Sequence, residues 1–113
     1  MHEVALMTEA VRLAVEAARA AGAQRVTALR LRVGALSGAA PEAMEFAWDV
    51  VRRGTLLADA RLEIERVPAV GWCPSCRVEF DTTGCWSECP RCQEPAGELR
   101  RGRELEIASM ELE

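Results

Sequence analysis

Residues 70–95 read Val70-Gly71-Trp72-Cys73-Pro74-Ser75-Cys76-Arg77, then Val78-Glu79-Phe80-Asp81-Thr82-Thr83-Gly84-Cys85-Trp86-Ser87-Glu88, then Cys89-Pro90-Arg91-Cys92-Gln93-Glu94-Pro95. All five cysteines of the chain lie in this window. Four of them form two matched Cys-Pro-x-Cys pairs, Cys73 with Cys76 and Cys89 with Cys92. Each pair sets two sulfurs on one side of a tight knuckle, which the proline stiffens. Two knuckles facing each other supply a tetrahedron of thiolates, the closed arrangement of a structural zinc site. The gap of residues 77–88 is shorter than the ~15–20 residues usual for this pattern but leaves room for a short hairpin. A redox Cys-x-x-Cys explains one pair, not two matched ones. Iron uses the same four thiolates and is the competing metal. No ligand position stays open, so the expected role is structural. The odd cysteine count argues against a disulfide framework. Cys85, the spare, reads as a small buried hydrophobe.

Outward from the knuckles, the flanks look like a different kind of structure. Val4 to Ala21 carries Met7, Val11, Ala14, Val15, Ala18 and Ala21 at three- and four-residue steps, the period of an amphipathic helix. Gly22 suits its stop. Arg25 to Val33 switches to alternation, with Thr27, Leu29, Leu31 and Val33 on one face and Arg30 and Arg32 on the other. Pro41 can open a second helix with Met44, Trp48 and Val51 as its stripe and Ala47 at the edge, ending at Gly54. Arg61 to Val67 reads as a second strand, Leu62 and Ile64 inward, Glu63 and Glu65 outward. Glu104 to Leu112 reads as a third. Its parity slips between Ile107 and Met110, so a bulge near Ala108-Ser109 is expected, returning Met110 and Leu112 to the core. Arginines on the first strand face glutamates on the other two, an arrangement that supports one sheet.

The expected fold is therefore α+β: a three-stranded mixed sheet covered on one face by two helices, with an inserted zinc-ribbon-like knuckle domain. The expected division is an α/β domain of residues 1–68 and 102–113 and a zinc-binding domain of residues 69–101. The inserted segment, about thirty-five residues, is below the ~40 that usually need metal or disulfides to fold.

Composition narrows the function. The chain has 113 residues, a formal charge of −4 and a sequence pI near 5.1. That balance lacks the basic footprint of a general nucleic-acid binder. No apolar run reaches the ~20 residues of a membrane span. The start, Met1-His2-Glu3, lacks the basic and apolar regions of a secretory signal. The expectation is a cytoplasmic protein that engages neither membrane nor nucleic acid.

His2 is the only histidine. Position two has its own coordination chemistry. The Met1 amine and the His2 amide nitrogen can close a five-membered chelate. The His2 amide and Nδ1 close a six-membered one, and the Glu3 amide completes four nitrogens in a plane. Square-planar nitrogen coordination selects Ni(II) or Cu(II) over zinc. The amides bind only when deprotonated, so affinity should rise with pH. The competing reading is a terminal histidine with no role.

Taken together, Met1-His2-Glu3, the two Cys-Pro-x-Cys knuckles, Gly34-Ala35-Leu36-Ser37, Pro41-Glu42, Phe46 and Gly102-Arg103-Glu104-Leu105 resemble the HypA/HybF nickel metallochaperones of [NiFe]-hydrogenase maturation. The resemblance covers nearly the whole chain. It implies exchangeable Ni(II) bound through Met1, His2 and Glu3, and structural Zn(II) on Cys73, Cys76, Cys89 and Cys92. It also implies work with a HypB-type GTPase and a hydrogenase large-subunit precursor, with urease maturation proteins as further partners in some members. Two departures stand out. Cys85 is outside the family's usual ligands, and Ala40, before Pro41, is a poor helix N-cap.

Two other classes fit less well. A zinc-ribbon module for protein or nucleic acid is the alternative, but residues 69–103 balance Arg77, Arg91, Arg100, Arg101 and Arg103 against Glu79, Asp81, Glu88, Glu94 and Glu98. An enzyme would need a nucleophile and base in reach of each other, and the only imidazole is at the terminus.

Overall fold

The computed structural model describes residues 2–82 and 87–113. Its elements run α1 (His2–Ala20), β1 (Val26–Gly34), α2 (Pro41–Val51), β2 (Arg61–Val67), β3 (Val70–Cys73), β4 (Val78–Asp81), β5 (Glu98–Arg101) and β6 (Leu105–Leu112). The chain divides into two compact units: Met1–Arg32 with Ala39–Glu65 and Glu106–Glu113, and Val33–Gly38 with Arg66–Leu105.

In the first unit, α1 buries Met7, Val11, Ala14 and Ala18, the stripe its periodicity predicts. Ala21 falls outside it. The helix ends in a Schellman turn: Gly22, at φ 75°, donates to the Arg19 carbonyl at 3.0 Å, and Ala23 donates to Ala18 at 2.9 Å. α2 buries Met44, Ala47 and Trp48. The two helices pack against each other, and three strands form a sheet of order β2-β1-β6. Ion pairs give the strand directions. Arg30 meets Glu63 at 3.7 Å and Arg32 meets Glu65 at 3.4 Å, so β1 and β2 run parallel. Arg25 meets Glu113 while Arg32 meets Glu106, so β1 and β6 are antiparallel. The sheet is mixed, as expected. Its charged face is the Arg–Glu ladder anticipated from the strand pattern, extended by Arg61 to Glu111 at 3.0 Å. Every side chain in the ladder is at least two-fifths exposed, so each pair contributes no more than about 1 kcal/mol.

Two details differ from the sequence reading. Along β6, Ile107, Ala108 and Met110 are half-buried, so the inward parity does shift, but Leu112 stays exposed. Leu57 is fully buried, although it lies in a turn outside any periodic segment. It is held by the Thr55 hydroxyl, which accepts the Leu57 N–H at 3.0 Å, and by Arg52, whose guanidinium donates to the Ala58 carbonyl at 2.9 Å.

In the second unit, a three-stranded sheet of order β4-β3-β5 has β3 at its centre, antiparallel to both neighbours. The hairpin expected between the knuckles is placed differently: β3 and β4 form it, and the first knuckle is its turn, with Cys73 opposite Val78. The segments Gly34–Ser37 and Gly102–Leu105 meet here. Gly34 N–H donates to Glu104 O at 2.7 Å and Leu36 N–H to Gly102 O at 2.6 Å. A Cβ on Gly34 would sit 2.2 Å from Gly102 O. Gly102 itself holds φ 124°, which L residues avoid. Gly34→Ala is therefore expected to destabilise by about 1–3 kcal/mol through forced backbone displacement. Denaturant titration checks this; a neutral substitution would mean the two segments part easily.

Candidate metal centre

The two knuckles are built alike. In the first, Arg77 N–H closes on Cys73 O at 2.8 Å, and Cys76 N–H points at Cys73 Sγ at 3.4 Å. In the second, Gln93 N–H closes on Cys89 O at 2.8 Å, and Arg91 N–H points at Cys89 Sγ at 3.4 Å. The residue after each second cysteine is left-handed, Arg77 at φ 54° and Gln93 at φ 61°. Neither is glycine, so both accept a strained conformation that the four-sulfur convergence demands. No residue type in the sequence announced these two positions.

The four Sγ atoms lie within 4.8 Å of one another. Cys73 and Cys92 are 3.5 Å apart, and Cys76 and Cys89 4.0 Å. These separations far exceed the ~2.05 Å of a disulfide. They match the roughly 3.8 Å edge of a tetrahedron with ~2.3 Å metal–sulfur bonds. The donor set therefore fits a tetrahedral thiophilic metal and is consistent with zinc. Cys73 and Cys89 are fully buried against Phe80, with Val78 and Ala96 packed alongside. The sulfurs are electrostatically unequal. Hydrogen bonding with Cys92, then burial, pushes the Cys76 thiol up to about 12. Burial would raise Cys89 too, but the N–H groups of Arg91 and Cys92 outweigh it and draw it down to about 7. N–H···S donors stabilise thiolate, the form a metal needs.

The other predicted site residues lie at the start of α1. His2 opens the helix and is exposed; Glu3 is half-buried. The Glu3 carboxylate accepts the Ala40 N–H at 3.1 Å. Its own N–H, and then that of Ala40, hold the Glu3 carboxyl below the usual range. Met1 and Cys85 lie outside the described residues. Among the described residues, the four knuckle cysteines are the metal-capable cluster the structure brings together. No described helix is long and apolar enough to cross a membrane.

An α+β unit and a unit whose four cysteines converge mark a candidate metal-binding protein. Comparison with known proteins specifies it further. Residues 1–112 match the family described as hydrogenase/urease nickel incorporation, metallochaperone, hypA. A hydrogenase maturation factor HypA of Chloroflexus aurantiacus is 42% identical over 112 residues, covering 98% of each chain. One from a Picosynechococcus species is 41% identical over 112 residues, covering 99% of each. The solution structure of the Ni metallochaperone HypA from Helicobacter pylori shares the fold at TM-score 0.67 and 20% identity, covering 97% of this chain and 96% of that one. A second HypA solution structure gives TM-score 0.70 at 21% identity, covering 100% and 97%. This chain belongs to the HypA family of nickel-incorporation metallochaperones. It is a maturation factor, not an enzyme.

Proposed function

We propose that this chain carries Ni(II) on its amino terminus and delivers it during maturation of [NiFe]-hydrogenase, acting in the cytoplasm with a HypB-type GTPase and the large-subunit precursor. Urease maturation proteins are further partners on this reading. Nickel sits on the α/β domain of residues 1–68 and 102–113, bound by the Met1 amine, the His2 and Glu3 amides and His2 Nδ1. Zinc is held on residues 69–101 by Cys73, Cys76, Cys89 and Cys92, where it supplies a rigid crosslink with no open ligand position.

The observation that carries the nickel site is the start of α1 at His2. The first four N–H groups of a helix have no intrahelical carbonyl. The His2 and Glu3 amides are therefore outside the helical ladder, and His2 is solvent-exposed. Closing the two five-membered rings needs N–Cα–C–N torsions near zero rather than the helical value of about −42°. Loading thus unwinds the first residues of α1 and leaves the rest of the helix in place. The cargo stays exposed, which suits exchange into a deeper site.

Isothermal titration with His2→Ala tests this. Removing the imidazole should weaken nickel binding by more than about a hundredfold, since even outer-shell changes cost 10–100-fold. Unchanged affinity would place the nickel elsewhere.

A further inference from the structure

β2 is an outer strand of the sheet of order β2-β1-β6, so one of its backbone edges meets no strand. Such an edge offers a row of N–H and C=O groups to another chain. Among the described residues, no loop or turn backbone bonds to residues 61–65. Leu62 and Ile64 alternate with the charged side chains and are only half-buried, whereas Leu29 and Leu31 on the neighbouring β1 are buried. Along its charged face β2 reads Arg61, Glu63, Glu65: positive at one end and negative at the other. A strand with that polarity is complementary to its own antiparallel copy.

We propose that β2 is a docking edge for a second copy of this chain, paired antiparallel about a two-fold axis that passes through Glu63 normal to the sheet. Residues opposite each other then share a face. Arg61 meets Glu65 of the second copy, twice by symmetry, and Leu62 meets Ile64 of the second copy, also twice. Arg61 is 60% exposed and Glu65 47%, so each has room for a further partner besides Glu111 and Arg32. The one like-charge pair, Glu63 with its equivalent, is offset by Arg30 at 3.7 Å and Arg61 at 3.5 Å within each chain. Sliding the strands by two residues one way sets Glu63 against Glu65 twice. Sliding them the other way leaves only residues 61–63 of β2 paired with each other. The charge pattern therefore selects one register. The product is a six-stranded sheet of order β6-β1-β2-β2-β1-β6. Five paired residues a side make a small contact, below the ~1,200 Å² of stable complexes, so the dimer is weak and depends on concentration.

The test is sedimentation velocity on the full chain, up to about 1 mM so that a weak contact is populated. Wild type should pass from monomer to dimer as concentration rises. Arg61→Glu sets two acids against each other at both symmetric positions, and Glu65→Arg sets two arginines. Each variant alone should dimerise about tenfold more weakly, since opposite charges across strands become like charges. Mixed in equal amounts, the two variants should form a heterodimer as tight as the wild-type dimer, because both cross-strand pairs are attractive again. That recovery also shows that both variants fold. In wild type, amide exchange along β2 should slow with concentration, while β6, the other outer strand, should not change. A wild-type chain that stays monomeric to about 1 mM overturns the proposal. So does a dimer indifferent to both substitutions, or variants of wild-type helical circular dichroism that fail to recover on mixing. Concentration-dependent protection on β6 instead of β2 would place the contact on the wrong edge and overturn it as well.

Discussion

Stripping the metal proposed for the four cysteines should unfold the knuckle unit and leave the helical unit folded. The second unit has three strands of four residues each and a small buried cluster centred on Cys73, Phe80 and Cys89. Two of those three core residues are metal-ligand candidates. Apolar burial on this scale does not offset the conformational entropy of so short a segment. Structural zinc sites in small domains contribute apparent binding energies of about 10–16 kcal/mol near neutral pH. Without the metal, the left-handed strain at Arg77 and Gln93 persists and the bond network that holds it is gone. A strong chelator, or Cys73→Ser, should abolish amide protection at Gly71 and Phe80. Helical circular dichroism from α1 and α2 should persist, because Met7, Leu29 and Met44 form a separate buried core. Retained protection at Gly71 and Phe80 in verified metal-free protein would mean the sheet stands on its own.

The second large effect concerns the terminal amine. Acetylating Met1 removes one of the four proposed nitrogens and the five-membered ring it closes with the His2 amide. Tight nickel binding should be lost, and the knuckle metal should stay at full occupancy. Moving the amine several residues away should act the same way. Adding a single residue is a poorer control. It makes histidine third, where an amine, two amides and an imidazole can again close around nickel. Equal nickel affinity for acetylated and free chains, measured by calorimetry, would remove the amine from the site.

Much of this architecture can be read from local pattern. The knuckles are legible because ligand spacing is local: each pair closes within four residues, and Cys73, Cys76, Cys89 and Cys92 do converge. α1 and β1 are legible because Met7, Val11, Ala14 and Ala18 repeat with the helix and Leu29, Leu31 and Val33 with the strand. The Arg–Glu ladder follows from charges set against that alternation. What escaped is nonlocal or conformational. Leu57 is buried by tertiary closure over a turn, where no period exists to mark it. Arg77 and Gln93 are left-handed because the sulfurs require it, against the preference of their residue types. The spacing puts a hairpin between the knuckles, whereas the first knuckle is its turn, since a Cys-x-x-Cys loop can itself reverse a strand. The Glu3–Ala40 bond joins residues from two elements, and Ala40 reads in sequence only as a weak cap.

The measurement that bears most directly on the terminal nickel site is the metal content and electronic spectrum of untagged chain loaded with one equivalent of nickel. Nickel held by nitrogens of Met1, His2 and Glu3 predicts a spectrum free of thiolate charge-transfer bands that disappears in His2→Ala, with zinc retained on the cysteines. Nickel showing thiolate charge-transfer bands, displacing zinc and indifferent to His2→Ala, would contradict it.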